Sequence, residues 1–415
     1  MSFEPQKPVS LSRRAAVGVL LAGLTGSVAT HHLVTGTSSS GRKLASFAPQ
    51  SKPKPMMPKH QWPSVDALAQ NIVDQKVSPA VSVSVMRAGE LLYSKGFGVT
   101  DFDSGTQATG SSGFRIASIS KQFTAAAIMT LAEAGALSID DPLSRFLPAF
   151  PRAADITLRQ MMSHTAGLGD YINGKSEDQL MEARMRDFSS DELLRIIETT
   201  SRPLYKAQPG ARWAYSNSGF ALLGIVVERL SGQSLGSFSK THLFDRAGMT
   251  QTAIDATCQA SEGCHGYRNN FRSPHGFDRA QALAPSFIGG AGAIRSTTED
   301  LVLWHDALLS GKVLKPESVQ AMLTPAVLKN GKPALERGGP EPLEYGFGLG
   351  LGRYENSPFA AHGGRVNGFT GHLRSLTDEK LSVAILYNCD CTGAAAFTGM
   401  HKRLRAEAFK QGMQA

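Results

Sequence analysis

Apolar and polar positions change their spacing several times along this chain, and each change marks an element. Val81–Met86 and Leu91–Gly96 read as two strands flanking the turn Arg87-Ala88-Gly89-Glu90, which predicts a β-hairpin. From Lys121 to Ala134 almost every position is apolar and Gly135 stops the run. A helix that is apolar on all sides belongs in a core. The spacing stays helical from 151 to 250. Thr157 is a competent cap for LRQMMS, Ser190 is the expected cap for a helix with Leu193, Ile196 and Ile197 on one face, and Asn217–Leu230 forms another helix. Residues 251–290 lose the pattern in SEGCHGYRNNFRSPHGFDR, a long irregular loop of the kind that shapes specificity beside a cleft. Helical spacing returns at Thr298–Leu309. Strand-like runs follow at Tyr345–Leu351, Thr370–Leu376 and Leu381–Tyr387, the last two joined by the turn Thr377–Lys380, and a helix from about Gly393 to Phe409 ends the pattern. No period repeats, which excludes a solenoid.

Strands therefore lie at both ends and helices in the middle. The economical arrangement is an α/β fold of the α+β type: one antiparallel sheet flanked by N- and C-terminal helices, with a second, mostly helical subdomain. The expected boundaries are 64–150 and 286–415 for the sheet-containing part and 151–285 for the helical part with its irregular loop. A cleft between them is the default site.

Charge changes this picture at one end. The 415 residues carry a net charge of +8, but residues 1–60 hold eight Lys or Arg and a single acid, Glu4. The remainder is close to neutral, so the basic balance gives no case for nucleic-acid binding. Arg13-Arg14 precede an apolar segment from Ala15 to about Leu24, and Ser27-Val28-Ala29 has the small-residue spacing of a cleavage site. Residues 1–29 read as a twin-arginine-like export signal, with Ala16 where that motif usually has Phe. The rival is an N-terminal membrane anchor, for which the run is short. Residues 30–63 are rich in Ser, Pro and Lys and read as a disordered tether. Export predicts a periplasmic or secreted protein, touching membrane only through an uncleaved leader. In that setting Cys258 and Cys264 could bridge, and Cys389 and Cys391 close an apolar run as NCDC. Zinc is disfavoured because no C-x₂-C spacing is present, even with His265 or His275 nearby.

Candidate chemistry centres on FRIASISKQFTAAAIM, residues 114–129. The pattern S-x-x-K also occurs at Ser40, Ser51 and Ser237, but only Ser118 stands at the mouth of a buried helix. There, free backbone N–H groups and the positive helix end meet the hydroxyl, and Lys121 shares its face one turn on. Burial would disfavour the ammonium and make Lys121 a base. The rival is an N-cap serine with a snorkelling lysine. A second polar set is WAYSN. Y-x-N occurs at Tyr171, Tyr215, Tyr267 and Tyr354, yet only Tyr215, after the Pro209-Gly210 turn, enters a helix with Asn217. A third set is His362-Gly363-Gly364, whose glycines permit close backbone approach. Gly232-Gln-Ser-Leu-Gly236 matches G-x-S-x-G but follows a helix rather than a strand, so Ser234 reads as a cap and not a nucleophile.

SISK, YSN and HGG, in that order, resemble the three boxes of the serine β-lactamase and penicillin-binding protein superfamily. The likeness is greatest to the class C β-lactamase-like hydrolases, which include D-aminopeptidases, DD-carboxypeptidases and carboxylesterases. MMSHTAGLGDY (161–171), LFDRAGM (243–249) and GGAGAIRSTTEDL (289–301) extend the likeness over roughly 65–410. The resemblance implies a β-lactamase/transpeptidase-like fold. It implies Ser118 as the acylated nucleophile, with Lys121 taking its proton or keeping Tyr215 ionised. Tyr215 would pass a proton to the leaving group and later activate water, and Asn217 would bond Lys121 and the substrate amide. His362 would steady Tyr215 or meet a terminal group of the substrate. The oxyanion hole would be the backbone N–H groups of Ser118 and Arg365, beside Gly363 and Gly364, with the Arg365 side chain a further candidate for a carboxylate. The departure is His362-Gly363-Gly364 in place of K-T-G, which weakens the case for efficient β-lactam hydrolysis.

The expected activity is an exported serine hydrolase acting on amide or ester bonds, on D-amino-acid or cell-wall-like peptides including peptidoglycan fragments. Rival readings are a carboxylesterase on small esters, a weak β-lactamase or slowly deacylating penicillin-binding protein, and a non-catalytic peptide or β-lactam binder. No cofactor or metal is called for, and no H-x-x-x-H or H-E-x-x-H is visible.

Overall fold

The computed structural model describes residues 57–173, 175, 180–254, 264–281, 283–337, 342–390 and 395–415. The leader, most of the tether, Cys258 and Cys391 lie outside the described residues.

Nine strands among the described residues form one sheet. In chain order they are β1 (Ala80–Arg87), β2 (Glu90–Asp101), β3 (Thr106–Gln107), β4 (Leu335–Glu336), β5 (Leu343–Tyr345), β6 (Gly350–Tyr354), β7 (Ser357–Val366), β8 (Phe369–Leu376) and β9 (Leu381–Tyr387). Their spatial order is β3-β2-β1-β9-β8-β7-β6-β5-β4, with antiparallel pairing throughout. The two ends of the chain thus meet where β1 pairs with β9, Val81 opposite Tyr387. The β1–β2 turn places Ala88 (φ +49) and Gly89 (φ +83) in the left-handed region, the geometry that a two-residue hairpin requires.

Period-2 alternation assigns the two faces. Val81, Val83, Val85, Val383, Ile385 and Tyr387 face a core shared with α1 (Pro63–Asp74) and the C-terminal helix. On the other face, Leu373, Ala384 and Leu386 join the larger core around α2 (Ser120–Glu133). Each Val, Leu and Ile side chain among these contributes about 1.5–3 kcal/mol by leaving water. Ser82 and Ser84, which point to this second face, are satisfied by Thr109 O (2.7 Å) and Thr298 Oγ1 (2.8 Å).

Helix α2 is buried from Ser120 to Leu131. Gln122 in its first turn accepts from Trp304 Nε1 (2.8 Å) and meets His305 Nε2 (2.7 Å), so its carbonyl oxygen is satisfied in the core. Beyond α2 lies the helical layer, with α3 (Ser190–Thr200) and α4 (Asn217–Ser231); α5 (Thr298–Leu309) packs against β1 and β9, and α6 (Ala395–Gln414) packs against α1. Ser234 caps the short helix Leu235–Ser239 by accepting from Ser237 N, as a cap and not an elbow. No helix among the described residues is long and apolar enough to cross a membrane.

Three sequence expectations are corrected. The α3 cap is Ser189, in a capping box with Glu192, while Ser190 is the first helical residue and bonds Glu228. Tyr345–Leu351 is not one strand: it breaks between β5 and β6, where Gly348 (φ +69) turns back against α2 and would set a Cβ 2.8 Å from Lys121 O. Cys264 is a free thiol and not bridged to Cys258. Its neighbours pin it inward, since His265 N bonds Thr100 O (3.0 Å) and Tyr267 N bonds Asn388 O (3.0 Å), where β2 and β9 end. Cys389 is disulfide-bonded.

Candidate active site

Ser118 reaches the cleft through a strained approach. Phe114–Arg115 pairs with Ile294–Ser296, and the chain then enters the single turn Ala117–Ile119 that feeds α2. Ala117 adopts φ +48, a left-handed conformation that costs a non-glycine residue about 1–2 kcal/mol. Ser118 itself is partly open to solvent, unlike the residues on either side.

Lys121 lies one turn deeper and is fully buried. Its Nζ donates to Ser118 Oγ (3.1 Å), Asn217 Oδ1 (2.8 Å) and Ala291 O (2.7 Å), and it stands 4.9 Å from the centroid of the Tyr215 ring. Burial lowers its pKa from 10.5 to about 7, against an opposing pull from the Asp170 carboxylate. Tyr215 arrives from the neighbouring helical layer, just ahead of α4, and its phenol donates to the same Ser118 Oγ at 2.7 Å. Burial pushes this phenol well above its ordinary value, and the Ser118 hydrogen bond only partly offsets that. One oxygen therefore sits between an amine made easier to deprotonate and a phenol made harder to deprotonate.

The third stretch lies on β7. Gly364 is required by a close approach: a Cβ there would stand 2.1 Å from Ile116 O and 3.2 Å from Ser118 N. Bare backbone brings the strand alongside the Ser118 amide. β7 pairs with β8 as far as Val366, whereas among the described residues its pairing with β6 ends at Ala361. Gly363 and Arg365 are exposed there. His362 is buried, and both ring nitrogens are engaged, Nδ1 with Gly363 O (2.5 Å) and Nε2 with Tyr345 Oη (2.9 Å). Burial, with the nearby Lys121, lowers its pKa to about 3. A neutral ring that donates from Nδ1 to the carbonyl takes the Tyr345 proton at Nε2. The phenol that His362 meets is thus Tyr345 and not Tyr215.

Ser118, Lys121, Tyr215 and Asn217 meet around one hydroxyl, with Gly364 backed against its amide; His362 stands one phenol away. The other Y-x-N tyrosines serve elsewhere. Tyr171 donates to Phe287 O (2.6 Å), Tyr267 accepts from Phe102 N (3.1 Å), and Tyr354 ends β6. Residues that sequence reasoning did not single out complete the site. Asp170 holds Asn217, Tyr345 holds His362, and the Ala291 carbonyl holds Lys121. Asp170 and Ala291 lie inside the stretches 161–171 and 289–301, where the only signal was the family likeness. A cavity of about 480 Å³ behind Gly289–Gly290, lined by Leu193, Ala221, Ile225 and Ile254, contains none of the predicted site residues.

Comparison with known proteins gives these groups a context. The family model described as Beta-lactamase matches residues 65–406. The chain is 28% identical over 326 residues to Penicillin-binding protein 4* of Bacillus subtilis (strain 168), covering 74% of this chain and 67% of that protein. It is 26% identical over 312 residues to a D-aminopeptidase of Gluconobacter oxydans (strain 621H), covering 75% of this chain and 56% of that one. The chain thus spans between about half and two thirds of the length of these relatives. Among solved structures, the D-amino acid amidase from Ochrobactrum anthropi SV3 complexed with D-phenylalanine superimposes with a TM-score of 0.71 at 22% identity, covering 84% of this chain and 98% of that one. At that identity the likeness speaks for the fold alone.

Proposed function

Because the chain belongs to the Beta-lactamase family, we propose that it is a serine hydrolase that cleaves amide or ester bonds through an acyl-enzyme on Ser118. The observation that carries this reading is the shared oxygen: Ser118 Oγ lies 3.1 Å from Lys121 Nζ and 2.7 Å from Tyr215 Oη. Neutral Lys121 takes the Ser118 proton as Oγ attacks the carbonyl carbon. Tyr215, protonated at rest, gives its proton to the leaving nitrogen or oxygen and regains one from the lysine side. Of the two roles open to Lys121, base toward the serine or counter-ion of a tyrosinate, the directions of the two pKa shifts favour the first. Asn217 fixes Lys121 and offers its amide to the substrate. The backbone N–H groups of Ser118 and Arg365 would bind the oxyanion, where Gly363 and the bare backbone of Gly364 let β7 run against the Ser118 turn. Water then enters where the leaving group departed; Tyr215 accepts its proton while passing its own to neutral Lys121, and Lys121 returns a proton to Ser118 Oγ as the ester is hydrolysed.

The substrate class we propose is amides and esters of D-amino acids, including cell-wall-like peptides. The D-aminopeptidase and penicillin-binding protein relatives support it. His362 supports acceptors without a terminal carboxylate at the third box, since its ring is neutral and both nitrogens are occupied. The substrate backbone would lie extended along β7 beside Gly363, which is exposed. We also propose export by a twin-arginine-like leader, on the strength of Arg13-Arg14 and the apolar run after them.

Ser118→Ala tests the chemistry. The wild-type chain should be labelled by a fluorophosphonate probe and the variant should not; equal labelling ends the assignment. The ratio of kcat/KM for D-alanyl amides to that for p-nitrophenyl acetate tests the substrate class. A ratio no higher for D- than for L-alanyl amides would remove the D-specific part.

A further inference from the structure

The segment from Ser163 to Tyr171 grips the residues that carry Tyr215 and Asn217. Ala214 N bonds His164 O (2.8 Å), Ser216 N bonds His164 Nδ1 (3.2 Å), Ser216 Oγ donates to Gly169 O (2.6 Å), and Asn217 N donates to Asp170 Oδ2 (2.8 Å). Asp170 is 6% exposed. Its carboxylate also accepts from Ile172 N (2.9 Å), Asn173 N (2.7 Å) and Asn173 Nδ2 (3.2 Å), which lock its own position.

The side-chain amide of Asn217 is then held at both ends. Its Nδ2 donates to Asp170 Oδ2 (3.1 Å) and Oδ1 (3.4 Å), while its Oδ1 accepts from Lys121 Nζ (2.8 Å). A carboxylate only accepts and an ammonium only donates, so a flipped amide would set donor against donor and acceptor against acceptor. We infer that Asp170 is the positioning residue of this site: through Asn217 it aims Lys121 at Ser118, with its carboxylate two hydrogen bonds away from the amine. The other ionisable groups around Lys121 are Tyr215, held protonated by burial, and His164 and His362, both held neutral by burial. Asp170 is the group among these that favours the ammonium. The inference rests on the reading of Ser118 as nucleophile and Lys121 as its base.

The test follows the rate of Ser118 phosphonylation by a fluorophosphonate between pH 5 and 9 on the purified full chain. Wild type should rise through a half-point near the Lys121 value of about 7. Asp170→Asn keeps the shape and a side-chain oxygen for Asn217 but removes the charge. Its half-point should fall by about one pH unit. Asp170→Ala should also lower the high-pH plateau, by about tenfold. Asn217→Ala keeps the charge, so it should lower the plateau and move the half-point less than Asp170→Asn does. The double variant Asp170→Ala/Asn217→Ala should have a plateau close to that of Asn217→Ala alone. A half-point unmoved by Asp170→Asn, or plateau losses that simply multiply in the double variant, overturns the inference. Should Asp170→Asn not fold, a wild-type plateau in Asn217→Ala overturns it equally. Labelling that persists in Ser118→Ala would instead overturn the underlying reading.

Discussion

Replacing Lys121 with methionine removes a charge from a site with no solvent exposure while keeping nearly the same volume. In the folded chain this amine titrates at about 7 instead of 10.5. At about 1.4 kcal/mol per pH unit, holding it protonated in the fold costs about 5 kcal/mol at neutral pH and below. The substitution relieves that cost but leaves Asn217 Oδ1 and Ala291 O without their donor, at about 1–3 kcal/mol each. Near pH 6 the two effects nearly cancel, so the sign of the stability change there decides nothing. The pH dependence does decide. Between 7 and 10.5 the unfolded wild-type chain holds a proton on this lysine that the folded chain has released, so wild-type stability rises with pH across that window; below 7 both states hold it and the contribution is flat. The variant has no such group. Urea unfolding of both proteins at pH 6 and pH 9 should show wild type gaining about 3 kcal/mol more than the variant. Groups remote from Lys121 are common to both and drop out of the difference, and His164 and His362, which feel its charge, are held neutral mainly by burial in either protein. Equal pH dependence in the two proteins would mean that the amine is not held in the deprotonation-prone state on which the mechanism relies.

Tyr215→Phe removes the proton donor to Ser118 Oγ and should lower kcat by about 10²–10⁴ with little change in thermal unfolding; a variant within about threefold of wild type in steady-state ester hydrolysis would exclude Tyr215 as acid–base. Gly364→Ala forces a Cβ to within 2.1 Å of a backbone oxygen that cannot swing away. It should destabilise by at least about 2 kcal/mol in a thermal or urea melt and depress Ser118 labelling, and a wild-type melt with wild-type labelling would refute the close approach of β7 to the Ser118 turn.

What could be read from the sequence was local. The hairpin of β1 and β2 shows in its alternation and in the Ala88-Gly89 pair, and α2 shows in its apolar circumference. The Ser118–Lys121 pair shows because three residues on a helix are neighbours by geometry alone. Long-range partners leave no such trace. Asp170 meets Asn217 across 47 positions of chain, and the acceptor that Ala291 gives Lys121 is a main-chain carbonyl, which every residue has. Tyr345–Leu351 has strand-like composition, yet glycines at 346 and 348 let the chain turn away from the sheet to lie against Lys121. Adjacent serines at 189 and 190 satisfy the same capping pattern, and the extended backbone of Ser189 (φ −73, ψ 161) makes it the cap. The third-box histidine was readable as a residue but not as a role, because its partner Tyr345 lies on another strand.

Ser118 Oγ, Lys121 and Tyr215 illustrate how one environment assigns opposite tasks to two groups whose ordinary pKa values nearly coincide. Burial penalises whichever form carries charge. For the amine that form is the protonated one, so Lys121 moves down toward neutrality; for the phenol it is the deprotonated one, so Tyr215 moves up. The helix N-terminus beneath Ser118 acts in the same direction on the lysine, since its positive end further disfavours an ammonium in the first turn. At pH 7 the pocket therefore presents a base and an acid to one oxygen without any additional ionised partner in contact with either. Asp170 limits the first shift from a distance and through one amide, which keeps Lys121 basic enough to take a proton from a serine hydroxyl. An amine driven much lower would be deprotonated but too weak a base, and one left at 10.5 would be protonated and no base at all. Chemistry at this site is thus a balance between the apolar walls of α2 and α4 and the Asp170 carboxylate, which lies outside the three motifs that carry the reacting groups.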